Sequence, residues 1–194
     1  MPRMPALSTF RRAAIWRPVV RLSRAAIPEH YRAWLLDPSS LTQRVVAVCG
    51  GGRFRVQVLA QAWQRPYPDE RRRLGLHNDT RALVRQVRLL CDDEPWVYAR
   101  TVIPRATLTG HERRLSRLGN RSLGAALFAD PTMEREAMEV AALAPGQPLY
   151  DVATQDQAPA KTEIWGRRSV FRLSGKPLLV SEIFLAKIPV APCR

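Results

Sequence analysis

Two charged side chains stand where strands should be apolar. Glu182 interrupts the run "LLVSEIFL" at 178–185, and Arg85 shares a strand face with Leu83, Val87, Leu89 and Cys91. Taking an ion out of water costs several kcal/mol unless a partner compensates it. Two arrangements answer that cost. The charges can neutralise each other or reach the sheet edge, or each can face a cavity and wait for a polar ligand. A guanidinium fork suits a carboxylate, and a carboxylate suits a hydroxyl.

Other chemistries have little support. His30, His77 and His111 are isolated, and no HxH or HxxxH pair exists. Cys49, Cys91 and Cys193 are too few and too far apart to suggest a disulfide framework or a thiolate zinc site. Their odd count suits a reducing compartment. There is no GxGxxG, phosphate loop or GxSxG. The expectation is therefore no metal and no cofactor.

The elements that must hold Arg85 and Glu182 are legible. "ALVRQVRLLCDDEPWVYARTVIP" reads as two strands flanking a turn at "DDEP", and "IWGRRSVFRLSGKPLLVSEIFL" as two more flanking "SGKP". With the turn on Gly175-Lys176, Glu182 lies on the face of Ser169, Phe171, Leu178 and Val180. "RFRVQVLAQAW" alternates with strand period. Short helices are expected after Pro28, after Ser39 or Ser40, after "PYP", and as two pieces of 110–130 broken at Gly119-Asn120. "TMEREAMEVAAL" is ambiguous between helix and strand. The Pro-, Ala- and Gln-rich stretch 144–163 reads as a long mobile loop. Hairpins with helices gathered between them give an α+β fold on an antiparallel sheet.

At 194 residues the chain is most simply one domain. The expected limits are a flexible basic extension over 1–15, a domain over 16–190 and a tail over 191–194. No apolar run nears the roughly 20 residues of a membrane span. The basic N-terminus lacks the apolar core of a secretory signal, so a cytoplasmic location is expected. Lysine and arginine number 31 against 17 acidic residues, a net charge of +14, and only Lys161, Lys176 and Lys187 are lysines. Such charge can mark a nucleic-acid binder. The clusters "RFR", "ERRRL", "HERRLSR" and "WGRR" are scattered, however, and no nucleic-acid motif accompanies them. An Arg-heavy composition, or attraction of small anions, accounts for it better.

"SSLTQR", "LVRQVRLLCDDEPWVYARTVIP", "LGNRSLGAALF" and "WGRRSVFRLSGKPLLVSEIFL" together resemble the chorismate lyases, from about Trp16 to Leu185. The resemblance implies a sheet of about six antiparallel strands with helical flaps over a closed internal site. It makes "TMEREAMEV" a strand. It implies a reaction too: chorismate loses pyruvate and becomes 4-hydroxybenzoate, the first step toward ubiquinone, in a cofactor-free monomer. By position it puts substrate binding on Arg85 and the essential glutamate at Glu182. Backbone contacts to the ring carboxylate fall on Leu41, where a known member has Met, and on Leu123. Arg168 and Arg172 receive no role. Burial would favour a neutral Glu182 able to act as an acid. Three alternatives remain: a non-catalytic effector-binding domain of the same fold, as in some transcription regulators, a basic nucleic-acid binder, and, with least support, a structural or interaction protein.

Overall fold

Period-two alternation and two tight turns build most of the sheet. The computed structural model describes residues 13–157 and 162–191. Its strands are β1 (Arg17–Pro18), β2 (Phe54–Gln64), β3 (Ala82–Cys91), β4 (Glu94–Pro104), β5 (Met133–Arg135), β6 (Glu139–Leu143), β7 (Ile164–Leu173) and β8 (Lys176–Phe184). All pairings are antiparallel, in the order β1-β6-β7-β8-β4-β3-β2, with β5 also on β7. Six strands have five or more residues. The other two have two and three, too few for an alternation to register in the sequence.

The β3–β4 hairpin turns on Asp92 and Asp93, and β7–β8 on Ser174 and Gly175, all at positive φ. That geometry matches the twist of the flanking strands. The second turn lies one residue earlier than expected. The pairing slides by two, so each side chain keeps its face but changes its partner. Glu182 therefore opposes Arg167, not Ser169.

Five short helices cover the sheet: α1 (Glu29–Leu35), α2 (Leu41–Cys49), α3 (Pro68–Leu74), α4 (Leu123–Phe128) and α5 (Pro148–Thr154). Ser40 caps α2 by accepting from the Gln43 amide, and Ser122 caps α4 by accepting from Ala125. The 3-10 segment Gly110–Arg117 leads to α4. Trp34 and Leu35 of α1 are fully buried, and Trp34 packs toward Phe184 of β8.

Two expectations need correction. Part of the 144–163 stretch is helix: Pro148 starts α5, whose Leu149, Tyr150 and Ala153 pack with Tyr98, Ile164 and Ile183. A proline at the first helical position is tolerated because its missing N–H would have had no partner. Residues 158–161 of that stretch lie outside the described residues. The cysteines also differ from expectation. Cys49, ending α2, forms a disulfide with Cys91, ending β3, at a Cα–Cα distance of 5.8 Å. The two are 42 residues apart in sequence, and only the docking of α2 on the sheet brings them together. Cys193 and residues 1–12 of the expected extension lie outside the described residues, while Ala14 and Trp16 pack against the Tyr98 cluster.

Candidate active site

One face of the sheet carries the residues that drew attention. Antiparallel register sets Arg85 of β3 beside Thr101 of β4, Thr101 beside Val180 of β8, and Val180 beside Ser169 of β7. Two residues along, Val87, Ala99, Glu182 and Arg167 form the next row. Arg85, Glu182 and both leucines, Leu41 and Leu123, line one cavity between this face and helices α2 and α4. The four positions dispersed in sequence thus converge.

Arg85 is 2% exposed. It donates to Gln61 Oε1 at 3.2 Å and to the carbonyls of Gly119 and Arg121 at 2.8 and 3.2 Å. Burial lowers its pKa, yet a guanidinium stays charged at neutral pH. No carboxylate lies within ion-pair distance among the described residues. These three bonds engage three of its five N–H groups, leaving Nε–H and one Nη1–H without a bond to the described residues.

Glu182 does have a partner. Arg167 Nε donates to Glu182 Oε2 at 2.6 Å. Arg167 is 1% exposed and also donates to the carbonyls of Trp34 and Asp37 at the end of α1. The sequence reading weighed Arg85 as the protein partner of Glu182 and left this cation out. Its Oε1 remains for another donor. Nor do Arg85 and Glu182 neutralise each other: they stand two strands apart, roughly 10 Å between backbones at ordinary strand spacing.

The leucines start the covering helices. Leu41 follows the Ser40 cap, and Leu123 follows Ser122. A helix leaves its first amides without intrahelical acceptors, so two first turns bring N–H groups to the cavity roof. Thr42 Oγ1 and Ser122 Oγ share a hydrogen bond of 2.6 Å that joins the two turns. Gly124 makes the close approach possible, since a Cβ there would lie 3.0 Å from Thr42 Oγ1.

Arg135 and Arg167 were missed by the sequence reading. Arg167 could have been found: alternation along "WGRRS" puts it on the Glu182 face. Arg135 sits on a three-residue strand and carries no such signal. Arg168 and Arg172 lie elsewhere. Arg168 bonds Asp69 and Glu139, and Arg172 bonds Glu136. Cys49, Cys91 and Asp92 are the one group of metal-ligating types that converges among the described residues. Both thiols are tied up in the disulfide, so the group offers no thiolate.

Residues 10–190 match the family model described as chorismate lyase. The chain belongs to the chorismate lyase family. A relative from Azoarcus sp., named "Probable chorismate pyruvate-lyase", is 46% identical over 81% of this chain and 84% of its own length. Another of that name, from Aromatoleum aromaticum, is 42% identical over 89% and 93%. Among solved structures, the C-terminal domain of the histidine utilization repressor from Pseudomonas syringae pv. tomato superposes with a TM-score of 0.52 at 11% identity, covering 73% of this chain and 98% of that one. A GntR-family regulator from Bacillus cereus gives 0.51 at 11% identity, over 69% and 92%. These two likenesses concern the fold alone. Among the described residues, no helix is long and apolar enough to cross a membrane.

Proposed function

We propose that this protein is a chorismate pyruvate-lyase, acting as a cytoplasmic monomer with residues 16–190 as its catalytic unit and 4-hydroxybenzoate for ubiquinone as its product. The observation that carries this reading is one cavity holding a guanidinium with no carboxylate partner, and a carboxylate with one oxygen unengaged, among the described residues. Chorismate presents a ring carboxylate, a 4-hydroxyl and an enolpyruvyl ether. Arg85 takes the ring carboxylate through its charge and a remaining N–H group, helped by the backbone amides at Leu41 and Leu123. Glu182 Oε1 accepts from the 4-hydroxyl, while Arg167 holds the carboxylate in place.

The reaction breaks the C3–O bond, and that electron pair leaves with the enolpyruvyl oxygen. The C4 hydrogen departs as a proton, and the enolate takes up one proton at its methylene carbon to become pyruvate. The ring becomes aromatic, which drives the step. Catalysis then consists of holding one conformer and stabilising charge on the leaving group, which supports a reaction without a cofactor. Product release requires α2 and α4 to part.

The test is to mix purified protein with chorismate. We expect 4-hydroxybenzoate by its absorbance and an equal amount of pyruvate by a coupled dehydrogenase assay, both undiminished in excess EDTA. Binding of chorismate without turnover would favour the effector-binding alternative. Loss of activity on chelation, restored by a divalent ion, would overturn the cofactor-free reading.

A further inference from the structure

The cavity holds more positive charge than one carboxylate can answer. Arg85, Arg135 and Arg167 all line it, and among the described residues Glu182 is the one acidic residue that does. Three guanidiniums against one carboxylate leave two positive charges. Arg167 is matched to Glu182, so the surplus resides on Arg85 and Arg135. They lie on opposite flanks. Arg85 is on β3, and Arg135 on β5 beyond β7, four strand spacings or roughly 19 Å of backbone away. Glu182 stands between them.

Arg135 is held as a binding group would be. Its Nε donates to Ser169 Oγ at 3.0 Å, Nη1 to the Pro38 carbonyl at 2.8 Å, and Nη2 contacts the Met138 sulfur at 3.4 Å. Its guanidinium lies 5.2 Å from the Phe171 ring centre. Those contacts fix the plane but leave one N–H on each terminal nitrogen, the edge that grips a carboxylate with two bonds. No carboxylate is within ion-pair distance among the described residues. Burial, and then repulsion from Arg167, lowers its pKa, a cost that an anionic ligand would relieve.

We propose that Arg135 is a second anion subsite that binds the carboxylate of the enolpyruvyl side chain, the group that leaves as pyruvate. This rests on the chorismate lyase reading and deepens it. The substrate is a dianion and matches both surplus charges. The aromatic product carries one carboxylate and matches Arg85 alone. Arg135 thereby separates substrate from product, and it places the leaving group on the far side of Glu182 from the ring carboxylate. Because Arg135 also bonds Pro38, just ahead of α2, a side-chain carboxylate seated there would steady the covering helix.

The experiment compares chorismate kinetics and 4-hydroxybenzoate affinity in wild type, Arg135→Gln and Arg135→Lys, with thermal unfolding as the check on folding. We expect Arg135→Gln to lose on the order of 100-fold in kcat/KM for chorismate, with the Kd for 4-hydroxybenzoate within about threefold of wild type. Arg135→Lys, which keeps the charge and loses the fork, should recover part of the loss and serves if the Gln variant does not fold. Parallel losses in kcat/KM and product affinity would reduce Arg135 to a residue that shapes the cavity. Unchanged chorismate kinetics would remove it from the site. A folded wild type that neither binds nor converts chorismate would instead overturn the functional reading itself.

Discussion

The two faces of the sheet bury the same kinds of charge and treat them differently. On the face covered by α3, Arg100 bonds both oxygens of Glu70 at 2.7 and 3.1 Å, with both side chains 2–3% exposed. Arg168, two strands away in the same row, reaches Asp69 and Glu139. On the cavity face Arg85 and Arg135 have carbonyl, amide and hydroxyl acceptors but, among the described residues, no carboxylate. Glu70 is also fixed within the fold, since it accepts from the Tyr67 amide at the start of α3. On the α3 face, Arg100 and Arg168 thus each have carboxylates supplied by the fold itself. On the cavity face the two guanidiniums have no carboxylate within ion-pair distance among the described residues, which suits the ligand-binding role proposed for them. A buried ion without its counter-ion is expensive to keep, so its presence points to something bound.

That contrast breaks most sharply at Glu182. Glu182→Gln keeps the volume and a hydrogen-bonding group but loses the carboxylate. We expect kcat for chorismate to fall on the order of 10³-fold or more, read from initial rates. Glu182→Ala adds a second effect by leaving Arg167 buried without its counter-ion, so it should also lower the unfolding temperature. The Gln variant is thus the cleaner test of chemistry.

Arg85→Ala should weaken 4-hydroxybenzoate binding by about 2–5 kcal/mol, measured by calorimetry, with little loss of stability because no carboxylate is stranded. Glu70→Ala should do the reverse. It leaves Arg100 buried and unpaired and should cost about 3–5 kcal/mol of folding stability, while the folded fraction keeps its kcat/KM. If Glu70→Ala abolished turnover in a stable protein, the division between the two faces would fail.

Smaller effects should come from the cavity roof and its tether. Reduction of Cys49–Cys91, or Cys91→Ser, removes a link across 42 residues, worth up to about 4 kcal/mol in the chain-entropy account. The unfolding midpoint should fall in denaturant with added reductant. Gly124→Ala places a methyl against Thr42 and should loosen the contact of α2 with α4. We expect faster release of 4-hydroxybenzoate in stopped flow, by a few-fold, and almost no change in stability.

Much of this layout was legible from residue order. Arg85 and Glu182 stood out because each breaks an apolar alternation, and the hairpin turns fixed the face each would occupy. Their partners were not legible. A one-residue difference in the Ser174-Gly175 turn decides that Glu182 meets Arg167, and periodicity cannot resolve that step. Arg135 lies on a strand too short to show a pattern. Helix α5 was hidden because Pro148 reads as a breaker until its position at the helix start is known. The disulfide depends on α2 lying across the end of β3, a tertiary fact with no local trace.

The most direct test of the difference between the faces is the rise in unfolding temperature produced by saturating 4-hydroxybenzoate in wild type, Arg85→Ala and Glu70→Ala. A ligand that binds only the folded state stabilises it by RT ln(1 + [L]/Kd). We expect a clear rise in wild type, the same rise from a lower starting point in Glu70→Ala, and almost none in Arg85→Ala. An Arg85→Ala protein stabilised as strongly as wild type would contradict the claim that this buried charge is kept for the ligand.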